Sequence, residues 1–363
     1  MLPPRANTSQ ETQPIRPSGR WDHTYAALDL GTNNCRLLVA RPARQGFRVV
    51  DAFSRIVRLG EGLGSDDRLC DEAMSRALSA LRICAQKVER NQVSLLRGVA
   101  TEACRRATNG RDFIARVGEE TGISFEIIDG NEEARLALRG CTPLFDAPLH
   151  DDGNDFALLF DIGGGSTQIT WVRLSPGRTR IEGPDTEILS SISVPCGVVT
   201  LSERFGAAEG VDGRLCADTY ARLRAHVTGY LQPFEAAHGI AERVAQGRVQ
   251  MVGTSGTVTT LTGILLDLPR YNRNRVDGTH LTFADLQRAT GRLAGFNRAE
   301  RTAHPCIGPD RADLVLAGCA VLDAICDLWP VGRLRVADRG LREGILHGLM
   351  SGADGAVPLS AAG

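Results

Sequence analysis

The chain has 363 residues, 42% of them apolar, and a formal net charge of −1. That length accommodates two domains with a sizeable core. The near-neutral balance excludes a protein that gathers polyanions by its overall field, so any anion site has to be local.

The first residues carry Pro3, Pro4, Pro14 and Pro17 among polar neighbours, with no apolar run. Residues 1–23 therefore read as a disordered arm and not as a signal peptide. Strand patterns follow at 25–30, 35–40 and 47–55. At 71–88 the apolar spacing predicts a helix with Ala73, Ala77, Leu81, Cys84 and Val88 on one stripe. A strand at 94–101, a helix at 111–122 closed by glycine, a strand at 124–130 and a helix from 131 to 145 complete a first unit, 24–146. The polar stretch "DAPLHDDGND" (146–155) marks a boundary.

A second unit, 151–308, has strand patterns at 156–161, 168–174, 189–194 and 249–253. A helix at 310–328, a strand at 333–338 and a helix at 341–350 follow, and residues 320–350 are expected to complete the first unit. Residues 351–363 read as a flexible tail. The alternation of strands and helices predicts an α/β protein.

The chemistry-bearing residues narrow the options further. Lys87 is the single lysine among 42 Lys and Arg residues, which nearly excludes mechanisms that need a catalytic or phosphate-gripping lysine. Ten cysteines are scattered without C-x-x-C and read as free thiols of a reducing cytosol. No apolar stretch approaches about 18 residues, so no membrane span is expected.

"AALDLGTNNCRLLVA" (26–40) lies over "LLFDIGGGSTQITWV" (158–172). Asp29 falls on Asp161, Gly31 on Gly163 and Arg36 on Gln168. Two copies of one strand–turn–strand unit predict duplicated halves with a cleft between them. Gly163, Gly164 and Gly165 allow a tight turn whose N–H groups approach a ligand, and Ser166 and Thr167 add hydroxyls. Asp161 would repel bare phosphate but attract a divalent metal bridging to it. A plain hairpin turn is the rival reading of the triplet.

The first copy repeats the logic with Gly31, Thr32, Asn33 and Asn34. A third loop, "GTSGTVTTL" (253–261), places Ser255, Gly256 and Thr257 after a strand. Three such turns favour phosphate binding over chance hairpins. No G-x-x-x-x-G-K-[ST] exists, and Gln168 breaks G-x-G-x-x-G at the triplet.

These segments, with "DGNEEARLA" (129–137) and "LRVADRGLREGIL" (334–346), stand in an order and spacing similar to the exopolyphosphatase / guanosine pentaphosphate phosphohydrolase family. The resemblance covers about residues 24–350 and is to the short form. It implies a two-domain actin-like (ribonuclease H-like) duplicated fold with an interdomain cleft. It implies hydrolysis of the terminal phosphate of linear polyphosphate, or of the 5′ terminal phosphate of guanosine pentaphosphate, with magnesium or another divalent cation. Glu133 is then the base for the attacking water and Glu132 the weaker candidate. Without the resemblance, both glutamates read as ordinary first-turn acids of a helix.

Asp161 matches the family's metal aspartate, and Asp29 is its counterpart. Many members carry glutamate where this chain has Gln168. That departure keeps a non-catalytic polyphosphate or nucleotide sensor as a rival reading. Arg105 in "ATEACRRATNG" (100–110) and Arg58 in "VRLGEGL" are the arginines expected at the phosphates. Arg273 and Arg275 in "RYNRNR" (270–275) would line the path of a chain-like polyanion. No wider basic field accompanies them, so nucleic acid is not an expected partner. A homodimer is common in the family, although no residue demands it. A cytoplasmic location is expected.

Overall fold

The computed structural model describes residues 23–44, 46–148, 155–179, 183–352 and 357–358. The expected arm (1–23) and tail (351–363) fall almost wholly outside these residues. Ser351 ends the last helix, and Val357–Pro358 pairs with a strand rather than continuing a loose tail.

Two six-stranded sheets form the frame. The first holds β1 (Tyr25–Leu30), β2 (Asn34–Pro42), β3 (Phe47–Ile56), β4 (Leu95–Ala100), β5 (Phe125–Ile127) and, at the chain end, β12 (Val357–Pro358). The second holds β6 (Asp155–Ile162), β7 (Thr167–Thr179), β8 (Gly183–Val194), β9 (Val249–Ser255), β10 (His280–Thr282) and β11 (Arg333–Ala337).

Each sheet begins as an antiparallel three-strand meander, β1–β2–β3 or β6–β7–β8. A parallel strand then docks on the first of the three: β4 on β1, and β9 on β6. A further strand is parallel to that one: β5 on β4, and β11 on β9. The duplication seen in the sequence is therefore a duplication of sheet order. Parallel neighbours need long crossovers. The helix Asp71–Arg90 supplies the first, with its expected apolar stripe buried, and helices from Val198 to Ala245 supply the second.

One expected boundary is corrected by this order. Residues 320–350 do not complete the first unit as a block. The helix Val315–Leu328 lies in the core of the second sheet, and β11 is that sheet's parallel neighbour to β9. Its distance in sequence hides its role. Only the helix Leu341–Ser351 crosses back, burying Ile345, Leu346 and Leu349 with Tyr25, Ala27 and Leu38 of the first sheet.

The helix Gly130–Cys141 is its counterpart. Asp129 caps it, accepting from the Glu132 N–H at 2.8 Å. Its Ala137, Leu138 and Cys141 pack on the second sheet. The two helices touch backbone to backbone: a Cβ at Gly140 would collide with the Gly340 carbonyl, and one at Gly344 with that of Leu136. This helix pair joins the halves and sets the cleft between them.

Together these features define the two-domain actin-like α/β fold with an interdomain cleft. Among the described residues no helix is long and apolar enough to cross a membrane. All ten cysteines are free thiols, with Cys70, Cys216 and Cys326 partly exposed.

Candidate active site

The β1–β2 and β6–β7 turns are built alike. The Gly31 N–H donates to the Asn34 carbonyl at 2.9 Å, and the Gly163 N–H to the Ser166 carbonyl at 2.9 Å. The residues paired in the sequence comparison are also cross-strand partners, Asp29 with Arg36 and Asp161 with Gln168. Each aspartate thus stands one residue before the end of its strand. The N–H groups of Thr32, Asn33, Gly164 and Gly165 have no acceptor among the described residues, leaving them available to an anion.

Gly163 is required by its own tight turn, where a Cβ would lie 2.8 Å from the Ser166 carbonyl oxygen, and Gly164 and Gly165 by close approach to the other turn. None of the three has a positive φ. A Cβ on Gly164 would lie 2.9 Å from Asn33 Cβ, and one on Gly165 would lie 2.6 Å from Thr32 Oγ1. The second copy's turn is pressed against the first copy's turn, and side chains would hold the lobes apart. Gly165→Ala is therefore expected to lower Tm by a few degrees and any turnover by about tenfold or more, because a small misplacement spoils alignment. Thermal melts and phosphate-release rates check both effects.

The third turn starts a helix, Gly256–Leu265. Ser255 Oγ caps it, accepting from the N–H groups of Thr257 and Val258 at 3.1 Å each. Its positive end faces the other two turns, an arrangement that favours anions.

All three turns line one cavity of about 140 Å³. Gly31 to Asn34, Gly163 to Ser166 and Ser255 to Thr257 contribute to its wall, as do Asp29, Asp161 and Glu133. The facing turns predicted from sequence thus converge. Burial pushes the Asp29 carboxyl above its ordinary range. Burial pushes Asp161 up to about 7, with Arg36 opposing and Asp29 adding to the rise. Glu133 is pushed up to about 8 by burial; Arg105 opposes this, and Asp161 and Asp29 reinforce it. A carboxyl with that affinity suits proton transfer near neutral pH.

Several predicted residues lie elsewhere. Glu132 points away and is engaged by Arg97 at 2.8 Å and Arg135 at 2.6 Å, which hold its carboxyl below the usual range. The Thr167 hydroxyl donates to the Cys196 carbonyl at 2.8 Å, within the protein. The Gln168 amide nitrogen donates to Ser166 Oγ at 2.8 Å and to Ser193 Oγ at 3.3 Å, so it backs a cavity residue without lining the cavity.

Arg58 pairs with Asp313 across the lobes at 3.3 Å. Arg105 turns to Glu102, Glu133 and the Ile128 carbonyl, not to the turns. Arg273 starts a short helix instead of lying in an open loop, and pairs with Glu343 at 2.6 Å. It lines a second cavity of about 790 Å³ that shares Asp29, Asn34, Arg36, Asp161 and Arg311 with the first. Arg275 lines neither of these two cavities.

Sequence reasoning missed Arg36, Arg311 and Glu102, all of which line the first cavity. Arg36 was visible as the first-copy counterpart of Gln168. Arg311 carried no local signal. It reaches the cavity because fully buried Arg301 holds its loop, donating to the Ala312 carbonyl at 2.9 Å and to that of Phe296 at 2.7 Å. Burial, and then Arg36, lower the Arg311 pKa. Two guanidinium groups facing one cavity, beside the carboxyls of Asp29 and Asp161, offer forked donors to an oxyanion.

A duplicated actin-like fold whose cleft gathers backbone donors, arginines and carboxylates is that of a phosphate-handling enzyme. A profile of the Ppx/GppA phosphatase family matches residues 38–352, and the chain belongs to that family. Among solved structures, it is similar to an exopolyphosphatase-like protein at 27% identity, over 90% of this chain and 99% of that one, with a TM-score of 0.76. The exopolyphosphatase from Cytophaga hutchinsonii is 25% identical over 92% of this chain and 99% of its own, with a TM-score of 0.78. The Aquifex aeolicus member of the Ppx/GppA family shares the fold at 23% identity over 92% and 99%, with a TM-score of 0.69.

Proposed function

We propose that this phosphatase is an exopolyphosphatase that removes the terminal phosphate of linear inorganic polyphosphate with a divalent cation, magnesium first. The observation that carries the reading is the meeting, in one cavity, of three donor turns from both lobes, two half-buried aspartates and the raised carboxyl of Glu133.

In this reading the terminal phosphate rests on the N–H groups of the turns, with Arg36 and Arg311 on its oxygens. Glu133 takes a proton from a water as the water oxygen bonds to the terminal phosphorus. The bridging P–O bond breaks, and its electron pair leaves with the shortened chain. Phosphoryl transfer asks little covalent chemistry of the protein, so alignment and charge neutralisation carry the rate.

The donor set fits a hard cation. Asp29 and Asp161 supply two carboxylates, and Asn33 Oδ1 is buried without a hydrogen-bond partner. Among the described residues no group of three or more His, Cys, Asp or Glu side chains could hold a metal by itself. Magnesium commonly takes one or two carboxylates and fills its shell with water and substrate phosphate. When bound, it would neutralise charge developing on the phosphate oxygens.

Polyphosphate is preferred to guanosine pentaphosphate because of the second cavity. Its wall includes Arg55, Arg273, Arg339 and Arg342 beyond the two shared arginines. Its single aromatic lining residue, Tyr271, has its hydroxyl committed to Asp338 at 2.5 Å. Repeated phosphates suit such a wall better than a purine does. The free thiols support a reducing, cytosolic setting.

Phosphate release from long-chain polyphosphate and from guanosine pentaphosphate, with and without magnesium, tests the proposal. Magnesium-dependent release with higher kcat/KM on polyphosphate is expected. A large advantage for the nucleotide would reassign the substrate. Tight binding without release would make the protein a sensor.

A further inference from the structure

Glu102 lies in the active cavity and has no part in the reaction just described. It opens the short helix Glu102–Arg106 after β4, and its Cγ is 3.0 Å from the point where a Cβ on Gly165 would stand. Its partner is Arg105, whose guanidinium is divided. Nη2 donates to Glu102 Oε2. Nη1 donates to the Ile128 carbonyl at 2.6 Å and makes a longer contact with Glu133 Oε2 at 3.4 Å.

We propose that Glu102 is a positioning residue: by holding one arm of Arg105 it fixes where that guanidinium stands against Glu133 and how much of its charge the base meets. This rests on Glu133 being the base.

The groups facing Glu133 make the balance sensitive. Arg105 approaches from the helix after β4, Asp29 from β1 and Asp161 from β6. On its own helix, Glu132 is occupied by Arg97 and Arg135. Arg36 and Arg311 share the cavity with Glu133, but Arg105 is the cation in contact with it, and a close two-point pair would hold the base ionised but reluctant to accept a proton. Glu102 and Ile128 draw the guanidinium aside. Glu133 is left oriented by one long contact and not quenched. Neutralising Glu102 would release the arm toward Glu133.

The test is Glu102→Gln, compared with wild type and Glu133→Gln on polyphosphate at saturating magnesium. The acid limb of the pH–rate profile is expected to move about one unit lower. The expected kcat is about tenfold lower, with KM within about twofold. Glu102→Asp should restore part of the loss. In the metal-free protein, the Glu133 side-chain carboxyl carbon, followed by NMR, should titrate at lower pH in Glu102→Gln than in wild type.

An unmoved limb together with an unmoved NMR titration would overturn the proposal. So would release that survives Glu133→Gln but is lost in Glu102→Gln, which would make Glu102 the base. A wild type that releases no phosphate would instead defeat the exopolyphosphatase reading. The NMR titration would still decide the role of Glu102.

Discussion

Glu133→Gln is expected to slow phosphate release by ~10²–10⁴-fold while leaving KM within about twofold, the pattern of a lost proton acceptor and not of lost binding. The amide keeps the shape of the carboxyl but cannot take the proton from water. Wild-type Glu133, raised to about 8 chiefly by burial, must be ionised to act. The rate should therefore climb as pH rises through its pKa. A divalent cation beside Asp29 and Asp161 removes much of their repulsion of Glu133 and should bring that limb below 8. The variant should lack the limb altogether. Glu132→Gln is the control next door. Its carboxylate is committed to Arg97 and Arg135, and the rate should stay within about twofold of wild type. Steady-state phosphate release across pH checks both variants.

Asp161→Asn should separate stability from turnover. Asp161 is half-buried in the cleft wall, and its carboxyl is raised to about 7 in the folded protein, chiefly by desolvation. In the unfolded chain it titrates near 3.9. A carboxyl raised on folding costs nothing below the unfolded value. Its penalty grows as pH rises through this window and is complete above the folded value. At pH 8 without metal, the neutral amide should raise Tm by a few degrees. The same change removes a cation ligand, so magnesium binding should weaken and turnover should fall by about 100-fold or more. Thermal melts at pH 5 and pH 8, together with magnesium titration calorimetry, measure the two effects. The stability gain should shrink at the lower pH.

Much of this site was legible in the sequence because it is made of short, local units. The strand–Asp–x–Gly–polar turn is written within a few residues, and its repetition at 29–34 and 161–166 pointed to duplicated halves whose turns meet at a cleft. Glu133 stood out through its place at a helix start within a recognisable segment. What failed to show was direction. Arg105 and Arg58 are the right residue type in the right neighbourhood, yet Arg105 faces two carboxylates and Arg58 faces Asp313. Such choices depend on partners far away in the chain.

Arg311 was invisible for the same reason. Its reach into the cavity depends on Arg301, a fully buried residue whose role exists only in three dimensions. The misassigned 320–350 stretch shows a topological limit. Nothing in "RLRVA" states that it pairs with a strand that ended about eighty residues earlier. The glycine triplet was read as freedom to turn, which holds for Gly163, whereas Gly164 and Gly165 also allow contact with Thr32 and Asn33 of the other turn.

The most direct measurement is hydrolysis of polyphosphate in ¹⁸O-labelled water with magnesium present. Attack by a water at the terminal phosphorus requires one heavy oxygen in each released orthophosphate and none on the end of the shortened chain. Heavy oxygen on the remaining chain, or no orthophosphate at all, would contradict the arrangement in which these turns hold the terminal phosphate opposite Glu133.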